Sequence, residues 1–222
     1  TCALPISLSS APLAATTAGF CVTVIIPKPV GEKTMYEGYA GLIFDMDGTI
    51  LDTEPTHRQA WNEVLGRYGM RFDEHAMVAL NGSPTWRIAQ AIIELNQADL
   101  DPHRLAQEKT QAVKAMLLDS VRPLPLIEVV KAWHGRRPMS VGTGSESAVA
   151  EALLAHLGLR HYFSAVVAAD HVVNHKPAPD TFLLCAERMG VAPEKCVVFE
   201  DADFGLQAAK RAGMDAVDVR LL

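Results

Sequence analysis

Two carboxylates, Asp45 and Asp47, stand one residue apart at the end of the apolar run Leu42-Ile43-Phe44, with Gly48 and Thr49 directly after them. In an extended strand, alternate side chains point to the same face. Where the strand ends and a glycine turns the chain, both carboxylates can converge on one point. Two like charges so placed repel unless a cation or a shared proton relieves them. The motif therefore implies a metal site, an acid/base pair, or both. Other apolar runs also end in polar residues: Thr143-Gly144-Ser145, then Asp170, then Glu200-Asp201, with Lys176 in the loop after the third run.

The elements that must position these residues follow from the hydrophobic pattern. A short apolar run over 39–44 fits a buried parallel strand. Asp52-Thr53-Glu54-Pro55 supplies a capping residue and an early proline, which start a helix that Gly69 stops. Helical patterns over 73–80, 85–95 and 102–118 follow with no strand between them, which points to an inserted helical cap. Alternation then resumes. Helices over 126–133, 148–157, 180–189 and 205–212 separate strands over 139–141, 165–168, 197–199 and 216–219. Repeated units of this kind predict an α/β fold, a Rossmann-like parallel sheet core with an inserted α-helical cap. Such sheets bind ligands beyond the carboxyl ends of their strands. The catalytic core is expected over 35–50 and 120–222 and the cap over 51–119.

The formal net charge is −6 and no basic run occurs, which argues against nucleic acid and anionic membrane as partners. An anionic substrate must then be held by a few local cations or by a metal. Cys2, Cys21, Cys185 and Cys196 form no CxxC pair and no cluster with histidines, so zinc and a disulfide framework are not expected. Cys185 and Cys196 fall in apolar patterns and read as small core residues of a cytoplasmic protein. Residues 1–34 carry no acidic residue before Glu32 and no basic residue before Lys28. They are expected to form a leader outside the native domain, which begins near Met35. No exposed apolar stripe is evident, and a monomer is expected.

In chain order, DMDGT at 45–49, GTGS at 142–145, HKPAPD at 175–180 and FEDADFG at 199–205 resemble the four motifs of the haloacid dehalogenase-like hydrolase superfamily. The likeness lies in its phosphatase and phosphomutase branch and runs from about Tyr36 to the C-terminus. The cap segment 81–101 and the core segment 133–147 look most similar to bacterial phosphatases acting on fructose 1-phosphate and 6-phosphogluconate. The resemblance implies a Mg²⁺-dependent phosphatase for a small phosphorylated sugar. Asp45 would be the nucleophile that becomes an aspartyl-phosphate. Asp47 would be the general acid and base, its main-chain carbonyl on the metal. Thr143, with Gly144 and Ser145, would hold phosphoryl oxygens, and Lys176 would neutralise nucleophile and phosphate. Glu200 and Asp201 would join Asp45 and Asp47 at the metal. A hard, oxygen-ligated cation and one lysine are what attack on a phosphate dianion demands.

Other residues admit plainer readings. Thr143 suits a helix cap, Asp170 a structural role and Asp203 a cap of the last helix, while Trp61 and Trp86 suit the packing of the cap. His57 and Arg87 can face either solvent or substrate. A β-phosphoglucomutase-type reaction is the nearest alternative. It needs a second anion site, yet Asn81 to Thr85 contain no cation and Glu146 adds a negative charge. A phospho-accepting signalling domain shares a strand-end aspartate and a lysine, but lacks the inserted helices and the second acid. Carbon–halogen cleavage needs neither Asp47 nor Asp201.

Overall fold

The computed structural model describes residues 36–73, 80 and 83–222. The leader, most of the helix expected over 73–80, and Asn81 and Gly82 of the cap turn lie outside the described residues. Five strands form a parallel sheet: β1 (Gly41–Phe44), β4 (Met139–Gly142), β5 (Ala165–Val167), β6 (Cys196–Glu200) and β7 (Asp215–Asp218). Their spatial order is β5-β4-β1-β6-β7, so the first strand is the central one. Phe44 pairs with Val141 on one side and Phe199 on the other, which sets the ends of β1, β4 and β6 level. The strand order reverses direction at β1, and Asp45 is the next residue in the chain.

The strands of the sheet are buried almost throughout because both faces are covered. Alternate side chains divide between two cores. Ile43, Val198 and Ala216 pack with Phe182 and Cys185 of α6 (Asp180–Met189) and Ala208 of α7 (Asp203–Arg211). Leu42, Phe44, Val141 and Phe199 pack with Val130 of α4 (Ile127–Trp133) and Leu153 of α5 (Ser147–His156). The Phe44 and Phe199 rings stack at 4.6 Å. This second core continues without a break into the cap through Trp61, Leu65, Ile92 and Val113.

Within the cap the described helices are α1 (Glu54–Gly66), α2 (Thr85–Leu95) and α3 (Pro102–Ser120). A two-stranded antiparallel sheet that the sequence pattern did not suggest joins them to the core. Leu51–Asp52 (β2) pairs with Arg122–Pro123 (β3), so the outgoing and returning chains cross side by side. Two residues are too short for any periodicity to register. The expected helices and strands of the core are found with ends shifted by one or two residues; α7, for example, starts at Asp203 rather than Gly205.

Candidate active site

The site is built where β1, β4 and β6 end. After Asp47 the chain folds back, with the Met46 carbonyl accepting from the amides of Ile50 and Leu51 at 3.1 and 3.0 Å. Gly48 has φ +84°, and a Cβ placed there would lie 2.4 Å from Asp201 Oδ2, so the turn needs glycine both for conformation and for space. Glycine brings the first and fourth motifs into contact.

Asp45, Lys176 and Glu200 form one buried group. Lys176 Nζ donates to Asp45 Oδ1 at 2.6 Å and to Glu200 Oε2 at 2.7 Å, and all three side chains are 5% exposed or less. Burial alone would lower the pKa of the Lys176 ammonium, but the two carboxylates outweigh it and hold the proton firmly. Asp45 shows the opposite balance. Burial and the Glu200 carboxylate raise its pKa well above the usual carboxylate range, against the pull of Lys176. Glu200 Oε1 also accepts from the Ala202 amide at 3.1 Å, so both of its oxygens have partners. Asp201 accepts from the Thr49 hydroxyl at 2.9 Å, and burial followed by Glu200 pushes its pKa up to about 6. Oxygen atoms of Asp45, Glu200 and Asp201 lie within 4.8 Å of one another, the one acidic group among the described residues with the spacing of a metal site.

The Asp47 carboxylate has a separate set of partners. Oδ1 accepts from Thr53 at 2.7 Å and pairs with His57 Nε2 at 3.2 Å; Oδ2 accepts from Ser145 at 2.8 Å and Thr143 at 3.1 Å. Burial would raise its pKa, but these donors prevail and hold it below the usual range. His57 Nδ1 faces Lys109 Nζ at hydrogen-bond distance. An ammonium has no lone pair, so Nδ1 accepts and Nε2 carries the proton donated to Asp47. Burial and Lys109 lower the His57 pKa, and burial pushes Lys109 down to about 8. The result is a relay of donors from α3 through α1 to the second carboxylate.

A cavity of about 470 Å³ lies over these groups. Asp45, Asp47, Gly144, Ser145 and Asp201 line it from the core, and His57, Trp61, Ser83 and Lys109 from the cap. Thr143, Lys176 and Glu200 are buried behind this surface. The sequence-expected residues therefore converge, though not all in the expected arrangement. Thr53 occupies the N-cap position of α1, yet its hydroxyl bonds Asp47 instead of capping. Thr143 does not cap α5; its oxygen accepts from the Ser145 amide, and Asp170 accepts from the Ser147 amide at the start of that helix. Asp203 pairs with Arg220 and caps nothing. Trp61 packs in the cap as expected, stacked on Phe72. Trp86 instead lies between cap and core, stacked on His103 and edge-on to His175. Arg87 is exposed and does not line the cavity.

Lys109 was not anticipated. Its signal was present: Leu105, Lys109 and Val113 fall at four-residue intervals on the buried stripe of α3, where a lysine needs a partner.

A family model described as haloacid dehalogenase-like hydrolase matches residues 39–213. The chain belongs to the haloacid dehalogenase-like hydrolase family. It is 84% identical over 188 residues to fructose-1-phosphate phosphatase YqaB of Escherichia coli strain K12, covering 85% of this chain and 100% of that protein. It is 30% identical to the beta-phosphoglucomutase of Bacillus subtilis strain 168, over 80% of this chain and 82% of that one. The crystal structure of CbbY from Rhodobacter sphaeroides in complex with phosphate superposes with a TM-score of 0.72 at 28% identity, covering 80% of this chain and 84% of that chain. In this haloacid dehalogenase-like hydrolase, Asp45, Glu200 and Asp201 lie where β1 and β6 end, and hydrolytic chemistry is the frame for their geometry.

Proposed function

We propose that this chain is a Mg²⁺-dependent phosphomonoester hydrolase for small sugar phosphates of the fructose 1-phosphate or 6-phosphogluconate type, acting as a monomer in the cytoplasm. The observation that carries this reading is the convergence of Asp45, Asp47, Lys176 and Asp201 beneath a cavity of small-ligand size. Its 84% identity to a named fructose-1-phosphate phosphatase supports the substrate class. In this reading the core would span 35–50 and 120–222 and the cap 51–119, with residues 1–34 outside the domain.

The donor set fits a hard divalent cation. Three carboxylates share one ammonium, and burial followed by the Glu200 charge raises the pKa of both Asp45 and Asp201, a strain that a bound cation would relieve. Asp45, Asp201 and the main-chain carbonyl of Asp47 would hold the ion, with Glu200 behind them anchoring Lys176. When bound, Mg²⁺ neutralises charge on the nucleophile and the phosphoryl oxygens.

In the first step a carboxylate oxygen of Asp45 bonds to phosphorus as the phosphorus–oxygen bond to the sugar breaks. The departing alkoxide takes a proton from Asp47. In the second step Asp47 accepts a proton from water, which attacks phosphorus and releases Asp45 and inorganic phosphate. Thr143 and Ser145 link the two roles of Asp47. A phosphoryl group that takes their hydroxyls removes two of the donors that hold Asp47 ionised, and so makes it easier to protonate.

Lys109 gives the mutase reading one specific support, since it places a cap cation on the cavity. Its ammonium already donates to His57 Nδ1, so it is committed within the cap rather than presented to a second phosphate dianion. Hydrolysis remains the better reading. Incubation with fructose 1-phosphate, 6-phosphogluconate or β-glucose 1-phosphate, with a trace of the bisphosphate, tests both. Metal-dependent release of inorganic phosphate is expected. Conversion of β-glucose 1-phosphate to glucose 6-phosphate would establish the mutase instead, and a stable phospho-protein without turnover a signalling role.

A further inference from the structure

A second chamber, of about 300 Å³, adjoins the main cavity. Thr85 and Gly144 line both spaces, so they meet where the first residue of α2 faces the turn after β4. The two differ in chemistry. The main cavity holds the nucleophile and Lys109; the chamber is lined by Trp86, His103, Gln107, Glu146, Asp170 and His175 and, among the described residues, by no lysine or arginine. Burial and the nearby Arg87 lower the His175 pKa, so its ring adds no charge at neutral pH. Both oxygens of Asp170 are taken by Ser147. The Gln107 amide and the Glu146 carboxylate make no hydrogen bond among the described residues, and are free to bind a ligand. Trp86 stacks on His103 at 5.4 Å and meets His175 edge-on at 6.4 Å, and its indole forms part of one wall.

We propose that this chamber is a second substrate subsite, taking an uncharged polyhydroxyl group joined to the phosphorylated sugar, as in a monophosphorylated disaccharide. The inference rests on the phosphatase reading above. A second phosphate or a carboxylate would meet the Glu146 carboxylate with no lysine or arginine on the chamber wall, among the described residues, to hold it. Sugar hydroxyls would satisfy the amide and the carboxylate together, and the indole suits the C–H face of a ring. The volume is near the lower end of small-ligand pockets, about 300 Å³, and suits one ring rather than a longer chain. Gly144 directly follows the expected phosphoryl-binding Thr143, so a group in the chamber stays within reach of a sugar whose phosphate lies at Asp45.

Phosphate release from fructose 1-phosphate and from trehalose 6-phosphate, as the disaccharide probe, separates the possibilities. Both should be hydrolysed, with kcat/KM values within about tenfold of each other. Gln107→Trp, which fills the chamber from an exposed helix position, should lower kcat/KM for the disaccharide phosphate at least about tenfold and leave fructose 1-phosphate within about twofold. Gln107→Ala, which cannot clash, should lower only the disaccharide phosphate, by about threefold or more. Turnover of fructose 1-phosphate alone, or equal losses on both substrates, would overturn the subsite and leave the phosphatase reading standing. Release from neither substrate would overturn both.

Discussion

At Asp45, burial and Glu200 raise the pKa against the pull of Lys176, whereas two residues later four donors hold the Asp47 carboxylate ionised. The same side chain thus meets two environments: as a nucleophile Asp45 would need charge relief, and as a general acid Asp47 would need some of its donors withdrawn. Asp45→Asn should abolish turnover and any phosphorylated enzyme. Asp47→Asn should lower kcat by about 10²–10⁴-fold, the range for a lost general acid, while the first half-reaction stays detectable with a good leaving group. Near-normal kcat in Asp45→Asn, measured by phosphate release, would contradict these assignments. Lys109 offers a test through stability. Its pKa falls from 10.5 in the unfolded chain to about 8 in the fold because of burial. Below pH 8 both states hold the proton and the folded state carries the full cost of the buried charge, on the order of 3 kcal/mol. Between pH 8 and 10.5 the folded state releases the proton first, and the cost fades. Lys109→Met should therefore raise Tm at pH 7, and the gain should shrink by pH 10; a pH-independent difference would argue against a strained ammonium.

Each motif depends on the element beneath it. β1 is central, which lets the ends of β4 and β6 flank Asp45 and supply Thr143 on one side and Glu200 on the other. The start of α7 closes tightly behind them: a Cβ at Gly205 would lie 1.9 Å from Glu200 Oε2. Gly205→Ala should thus displace the carboxylate that holds Lys176, destabilising the fold by about 3 kcal/mol in denaturant melts and reducing turnover. A variant with wild-type Tm and kcat would show that the helix start has room to spare. Apolar runs ending in acids made these elements legible, because strand ends and sites coincide in parallel sheets. Partner choice was much less legible. Thr53 carries every mark of a helix cap, yet a carboxylate six residues earlier competes successfully for its hydroxyl. Lys109 was hidden because one lysine on an amphipathic helix looks like the edge of its polar face until the neighbouring helix is placed. The β2–β3 pair depends on two chain segments about seventy residues apart and leaves no local pattern.

Over the whole molecule, charge and cavity act together. No described helix is long and apolar enough to cross a membrane. A net charge of −6 repels anions at long range, so on the proposed reading sugar-phosphate binding would depend on the local lysines and a cation. Without metal, burial and Glu200 raise the Asp201 pKa from 3.8 in the unfolded chain to about 6 in the fold. The folded state then holds this proton more tightly, a stabilisation that is complete below pH 3.8 and lost as pH rises through 6. Mg²⁺ should offset that loss, raising Tm more at pH 7 than at pH 5, where Asp201 must first release its proton. In Asp201→Asn the Mg²⁺-induced shift should be much smaller at both pH values; an unchanged shift would place the cation elsewhere. The most direct test is acid-quenched single turnover with fructose 1-phosphate and Mg²⁺, followed by peptide mapping. The account predicts a phosphoryl group on Asp45 that forms and disappears on the timescale of phosphate release. Phosphate released while the Asp45 peptide stays unmodified, or a phosphoryl group on another residue, would contradict it.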